Sequence, residues 1–323
     1  MTASPPRTAP STAGPSLASA TGMAGQFLVA KLCAFDATLA ETVPRVLGVG
    51  DPEAVHDFRV ALRRTRTVLE VGCEVFGRFH AGEVRTALRE VHRASGALRD
   101  EEVLLELLAS LGVERPDVQA WTEGRRRRER RLRTALRRRI REGDVERGRR
   151  LLDAMVAFRT KPSRDRRVSK FARRAVGLSR REVERRRSGP LHVPEALHRL
   201  RIAYKRLRYT IETFETVLPP DLAALAAPAA RFQSRLGKLH DIDMAMAVVR
   251  GARSLADAGR EALLAELQRV RVERALALEE SLGVALVLPP ATKNQGTATT
   301  AAPDRRARAA PAPPRKSTAA PGG

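Results

Sequence analysis

The 323-residue chain carries a formal net charge of +23 and a sequence pI near 11.4, and it is long enough for one large or two modest domains. With 43% hydrophobic but only 4% aromatic residues, packing falls to Leu, Ala and Val, which suits helical bundles. The charge points to a polyanionic partner (nucleic acid, an inorganic phosphate polymer or an anionic membrane surface), and no run approaches the ~18 apolar residues of a membrane span.

Residues 1–22 are mostly Pro, Ser, Thr and Ala and read as a disordered tail without the layout of a signal peptide, so a cytoplasmic location is expected. From Met23 to about Leu47 the residues Phe27, Leu28, Leu32, Phe35 and Leu39 recur at helical spacing. GVGDPEAV then breaks the pattern, with Asp51 as the expected N-cap and Pro52 in the first position of a helix running to about Phe76. Another helix is expected over roughly 80–95, and Asp100 is expected to cap the next, which reaches Leu111. Trp121, Leu132, Ala135, Leu136 and Ile140 share one face of a helix that includes the arginine run 125–139, whose other face is either solvated or a general attractor of phosphate. A helix from 144 to about 159 ends near Lys161-Pro162, and a very basic one covers 164–187. SGPLHVP breaks the chain again before a helix that Pro219-Pro220 ends, and helices at about 221–237, 241–257 and 259–283 follow. Residues 290–323 read as a disordered basic tail. No stretch alternates as a strand would, so the expected fold is all-α. Cys33 and Cys73 read as buried free thiols in a reducing compartment.

One pattern occurs twice. VHDFRVALRRTRTVLEVGCEVFG (55–77) and LHRLRIAYKRLRYTIETFETVLP (197–219) share His56/His198, Arg59/Arg201, Ala61/Ala203, Arg64/Arg206, Arg66/Arg208 and Glu70/Glu212, and Arg63 meets Lys205. On a helix His56, Arg59, Arg63 and Arg66 fall within an arc of about 80°, beside an apolar face of Val55, Phe58, Leu62, Thr65 and Leu69. His198, Arg201, Lys205 and Arg208 repeat that stripe beside Leu197, Leu200, Tyr204, Leu207 and Ile211. GALRDEEV (96–103) and GKLHDIDM (237–244) match at nearly the same offset, each read as a turn, so the chain contains a duplication of about 140 residues and two similar helical units.

Two basic helices of pattern H-x2-R-x3-[RK]-R-x-R, each followed by L-[RH]-D, resemble the CHAD domain, the conserved histidine α-helical domain, over about residues 23–289. The resemblance implies two four-helix-type units, about 23–160 and 164–288, related by a pseudo-twofold axis, with the signature helices lining a basic central cavity. It further implies binding of inorganic polyphosphate and association with polyphosphate granules. The matching positions are His56, Arg59, Arg63, Arg64, Arg66, His198, Arg201, Lys205, Arg206 and Arg208, with Arg99 and His240 as weaker members. Arg199 stands in the place of Asp57, and Glu102 replaces the usual second aspartate of the first LRD segment. The E-x-E-x-K strand of the phosphohydrolase module often fused to this family is missing, so a standalone domain is expected.

The residues agree on chemical grounds. Like charges at i, i+3/i+4 repel by a few tenths of a kcal/mol per pair, so paired cationic stripes need an anion rather than serve stability. Polyphosphate offers many acceptor oxygens and no bases to read, and arginine can grip it with two parallel bonds. Glu70 and Glu212 read either as orienting neighbouring arginines or as ordinary surface ion pairs. A metal-dependent phosphohydrolase is the enzyme alternative, suggested by His56-Asp57 and His240-Asp241. Arginine at 99 and 199, in the places of His240 and Asp57, speaks against metal ligation, and no metal, cofactor or catalytic set is expected. Non-specific nucleic-acid binding is the other alternative, supported by charge and opposed by the scarcity of aromatics for stacking.

Overall fold

The computed structural model describes residues 22–158, 166–190 and 193–283. The helical spacing of the sequence becomes α1 (Ala24–Leu47), α2 (Ala54–Val71), α3 (Cys73–Phe76), α4 (Arg78–Ala87), α5 (Arg89–Ser110), α6 (Pro116–Arg141) and α7 (Asp144–Ala157). It continues as α8 (Val168–Arg187), α9 (Pro194–Phe214), α10 (Pro220–Ala223), α11 (Ala226–Arg250) and α12 (Asp257–Leu282), with a 3-10 turn at Glu215–Val217. Among the described residues the one extended pairing is an antiparallel bridge between Met23 and Arg167, so the fold is all-α. Residues 1–21, Lys161-Pro162 and 290–323, read above as tails and a helix end, lie outside the described residues.

Several boundaries differ from the expectations. Asp51 does act at the start of α2, its Oδ1 accepting from the Glu53 N–H at 3.0 Å, but the helix begins at Ala54. The first signature helix stops at Gly72 rather than Phe76. A Cβ there would lie 2.6 Å from the Phe76 ring and 2.9 Å from the Val68 carbonyl oxygen, so only glycine allows the sharp restart as α3. Neither L-[RH]-D segment is a turn: 96–103 lies inside α5 and 237–244 inside α11, and Asp100 caps nothing. A mid-helix glycine costs about 1 kcal/mol, but the buried Leu98, Leu104, Leu108, Leu236, Leu239 and Ile242 outweigh it by packing. Cys33 is exposed rather than buried, and Cys73 half-buried.

Three apolar clusters join these helices. The first gathers Phe27, Leu28, Phe58, Leu62, Leu69, Leu88 and Leu98 from α1, α2 and the α4–α5 segment, with Leu136 of α6 and Leu152 of α7. Phe214 at the end of α9 closes it, its ring 5.5 Å from Phe27 and 5.8 Å from Phe171. The second packs Val176, Leu200, Leu207, Ile211, Leu239 and Leu278 from α8, α9, α11 and α12. The third, with Leu104, Trp121, Ile242, Val249 and Leu263, ties α5 and α6 to α11 and α12. The packing order repeats along the chain: α1 lies on α2 as α8 lies on α9, α2 on α5 as α9 on α11, and α5 on α6 as α11 on α12. α2 also packs directly on α9, and α5 on α11, which brings the two copies of the signature together.

Candidate functional site

Burial fixes how α2 and α9 present their charges. Val55, Phe58, Leu62, Thr65 and Leu69 are all buried, as are Leu197, Leu200, Tyr204, Leu207 and Ile211, so each apolar face is held in a core. The middle of the stripe along its edge lies towards the other helix. Arg63 of α2 reaches across and donates to the Tyr209 hydroxyl of α9, whose ring centre also lies 5.3 Å from the Arg208 guanidinium. Lys205 stands in the field of Arg63, Arg201, Arg59 and Arg66.

The electrostatics of this group are unfavourable on their own. Burial, reinforced by those four arginines, pulls the Lys205 ammonium down to about 7 from its ordinary 10.5. Burial likewise lowers Arg59, with Arg63 and Arg99 adding repulsion and Asp100 and Glu102 opposing it. Arg201 is lowered by burial and by Arg63, against Asp241 and Asp100. Arg66 is lowered by burial, Arg85 and Arg89. Arg59 donates to the Ser95 hydroxyl at 3.4 Å, but the Nε–H groups of Arg63 and Arg201 are buried donors with no accepting partner among the described residues. Buried N–H donors are nearly always satisfied; the Nε–H groups of Arg125 and Arg260 also lack a partner, but only Arg63 and Arg201 stand together in one cationic cluster, which marks a place for acceptors. The counter-charge present is thin: Asp100 and Asp241 stand near Arg59 and Arg201, and burial with the Asp100 charge raises Asp241.

The histidines divide. His56 is exposed at the start of α2, whereas His198 packs against His240 of α11 with ring centres 4.8 Å apart. Burial and Arg201 hold His240 down to about 4, and His198 is lowered by burial, Arg201 and Lys205. The imidazole most enclosed by the cations is one that the pattern omitted. Burial and the charges of Arg66, Arg59, Lys205 and Arg63 push His92 of α5 down to about 3. His92 lies four residues before Gly96, as Gln233 lies four before Gly237, and Gln233 accepts from Arg208 at 3.3 Å. Extending the second repeated match upstream by one turn would have found this pair.

Other members of the pattern point elsewhere. Arg64 lies over the Phe35 ring of α1 at 5.9 Å, and Arg206 pairs with Glu70 at 3.2 Å. Arg208 is held by Glu212 at 2.5 Å, whereas the Arg206–Glu70 pair is largely exposed, as an ordinary surface ion pair is. Arg99 belongs to Glu102 and Glu106 at 3.1 and 3.0 Å, whose carboxylates more than offset its burial. Asp57 is taken by Arg45 at 2.8 Å. Among the described residues no three His, Cys, Asp or Glu side chains stand together as metal ligands.

The family model of the CHAD domain matches residues 33–250. The chain belongs to the CHAD family. The crystal structure of the CHAD domain from the plant Ricinus communis is similar with a TM-score of 0.67, over 84% of this chain and 95% of that one, at 19% identity. PptA from Streptomyces chartreusis is similar with a TM-score of 0.56, over 81% of this chain and all of that one (100%), at 15% identity. At these identities the likeness is one of CHAD fold. Two Mycobacterium tuberculosis proteins, uncharacterized protein Rv2226 (strain ATCC 25618 / H37Rv) and uncharacterized protein MT2285 (strain CDC 1551 / Oshkosh), are each 32% identical over 174 residues. That match covers 49% of this chain and 33% of each relative, so the CHAD chain corresponds to about a third of their length. Among its described residues no helix is long and apolar enough to cross a membrane.

Proposed function

We propose that this CHAD protein binds inorganic polyphosphate between α2 and α9, with the two repeats arranged pseudo-symmetrically about a basic central cavity that the polymer enters. The observation that carries the reading is the half-buried group of Arg59, Arg63, Arg66, Arg201 and Lys205, with unpartnered Nε–H donors on Arg63 and Arg201. Bringing these charges together costs free energy in the free protein. A polyanion offsets that cost by supplying many oxygens to fixed donors, and partial burial strengthens each charge-assisted bond. His92, His198 and His240 are held neutral by the same cations and become donors from both ring nitrogens once bound phosphate raises their pKa.

The role is binding rather than turnover. Asp57 is engaged by Arg45, and His240 stands against His198 beside Arg201, so the two His-Asp pairs serve ion pairing and the cationic cluster. In the cell the protein sits in the cytoplasm at polyphosphate granules. Competition at about 150 mM salt, with long-chain polyphosphate against duplex DNA at equal phosphate, tests the reading. Polyphosphate is expected to win. Equal competition by DNA contradicts it.

A further inference from the structure

The arginines of α6 fall into two sets. Those facing the body of the protein are engaged: Arg125 and Arg128 hold the buried Glu101 at 2.6 and 3.2 Å, Arg133 holds Glu102 at 2.9 Å, and Arg137 donates to the Val46 carbonyl at 2.9 Å. Arg127, Arg130 and Arg131 are exposed, and among the described residues none of them is ion-paired. Arg138 meets only the exposed Glu142, at 3.7 Å.

This outer face is shaped as well as charged. Gly124, Arg125, Arg127, Arg128, Arg131 and Ser254 line a recess of about 350 Å³. A second recess of about 390 Å³ is lined by Arg130, Arg131, Thr134, Ala135 and Arg138. Arg131 belongs to both, so one arginine-lined track follows α6 from Ala120 to Arg138, about 27 Å at 1.5 Å per residue.

We propose that this track docks the phosphate backbone of double-stranded nucleic acid, at a site separate from the α2–α9 cluster and without reading bases. A duplex is a stiff polyanion with about one charge per 1.7 Å of axis, so it offers far more phosphates than this track has free arginines, and a track fixed on a single helix is stiff as well. The duplex loses little conformational entropy there, whereas a flexible phosphate chain must be ordered along an open surface. Single strands are disfavoured because Trp121, the one aromatic side chain of α6 and a member of the first recess, is 7% exposed with the Arg125 guanidinium 5.8 Å from its ring centre, which leaves bases little to stack on.

The test uses the full chain and a variant with Arg127, Arg130, Arg131 and Arg138 all changed to Gln. Duplex affinity is measured on two unrelated sequences across a salt series, and polyphosphate affinity in parallel. The slope of log K against log salt is expected to become shallower by about 3–4, equally for both sequences, because each phosphate contact contributes about 0.9. Polyphosphate affinity should stay within about twofold, and lysine at the same four positions should restore the slope, since counterion release follows charge. An unchanged duplex slope overturns the proposal, as does an equal loss of polyphosphate affinity, which would make the track part of the polyphosphate site. Failure of the polyphosphate reading would show instead in variants of α2 and α9.

Discussion

α2 and α9 carry one pattern in one register, but their surroundings match only in part. Arg59 and Arg201 are both half-buried and depressed, and Arg63 and Lys205 meet at the centre of the contact. The ends diverge: His56 is exposed where its counterpart His198 is packed, and Arg66 faces His92 where Arg208 faces Gln233. The repeated part of the environment is thus the middle of each stripe, where the helices meet and the cations are half-buried. A binding site built there depends on a few central cations, and the flanking ones tune it.

Removing the centre should have the largest effect. Arg63→Ala with Arg201→Ala deletes both unpartnered donors, and at ~1.5–3 kcal/mol per hydrogen bond to a charged group, polyphosphate affinity should fall at least 100-fold or so in a calorimetric titration. A change below about fivefold would place the site elsewhere.

Lys205 sharpens the comparison because its counterpart is an arginine. With a pKa of about 7 it is half protonated at neutral pH, and bound polyanion restores the proton. Binding should therefore take up about half a proton at pH 7 from this side chain and weaken roughly tenfold between pH 6 and 8.5. Lys205→Arg should keep affinity and flatten that profile above pH 7. If the profile is unchanged, the titrating group is another. In the free protein the sign reverses. The unfolded chain holds the Lys205 proton up to about pH 10.5 while the folded one releases it near 7, so its contribution to stability rises with pH across that window.

Two glycines at one register give a finer contrast. A Cβ on Gly96 would meet the Arg59 guanidinium at 3.2 Å, whereas one on Gly237 meets nothing within 4 Å. Gly237→Ala should stabilise the protein by ~0.5–1 kcal/mol without touching affinity. Gly96→Ala should gain less stability and weaken polyphosphate binding a few-fold by shifting Arg59; equal behaviour of the two in melting and titration would show that Arg59 is free to move. The smallest effect belongs to the Arg206–Glu70 pair. It is largely exposed, so Glu70→Gln should cost no more than ~1 kcal/mol in denaturant unfolding.

Much of this was legible in the sequence. The apolar faces of both signature helices follow from spacing alone, and the repeat placed Arg59, Arg63, Arg66, Arg201 and Lys205 along the edges of those faces; that the edges meet was implied only by the family resemblance. The segments 96–103 and 237–244 misled because glycine and aspartate suggest a break, whereas here the glycine at 96 clears room for Arg59 and tertiary packing keeps the helix whole. Spacing says which residues share a face but not which neighbour each long side chain finds. For that reason Arg64 and Arg206 lie beside Phe35 and Glu70, and His92 falls outside the repeated pattern.

The most direct measurement is a titration of long-chain polyphosphate into the wild type and into a variant with Arg59, Arg63, Arg201 and Lys205 all changed to Ala, with helix content followed by circular dichroism. Binding should disappear in a variant that stays helical and melts no lower than wild type, because removing four repelling charges relieves the free protein. Retained binding by a folded variant would contradict a polyphosphate site between α2 and α9.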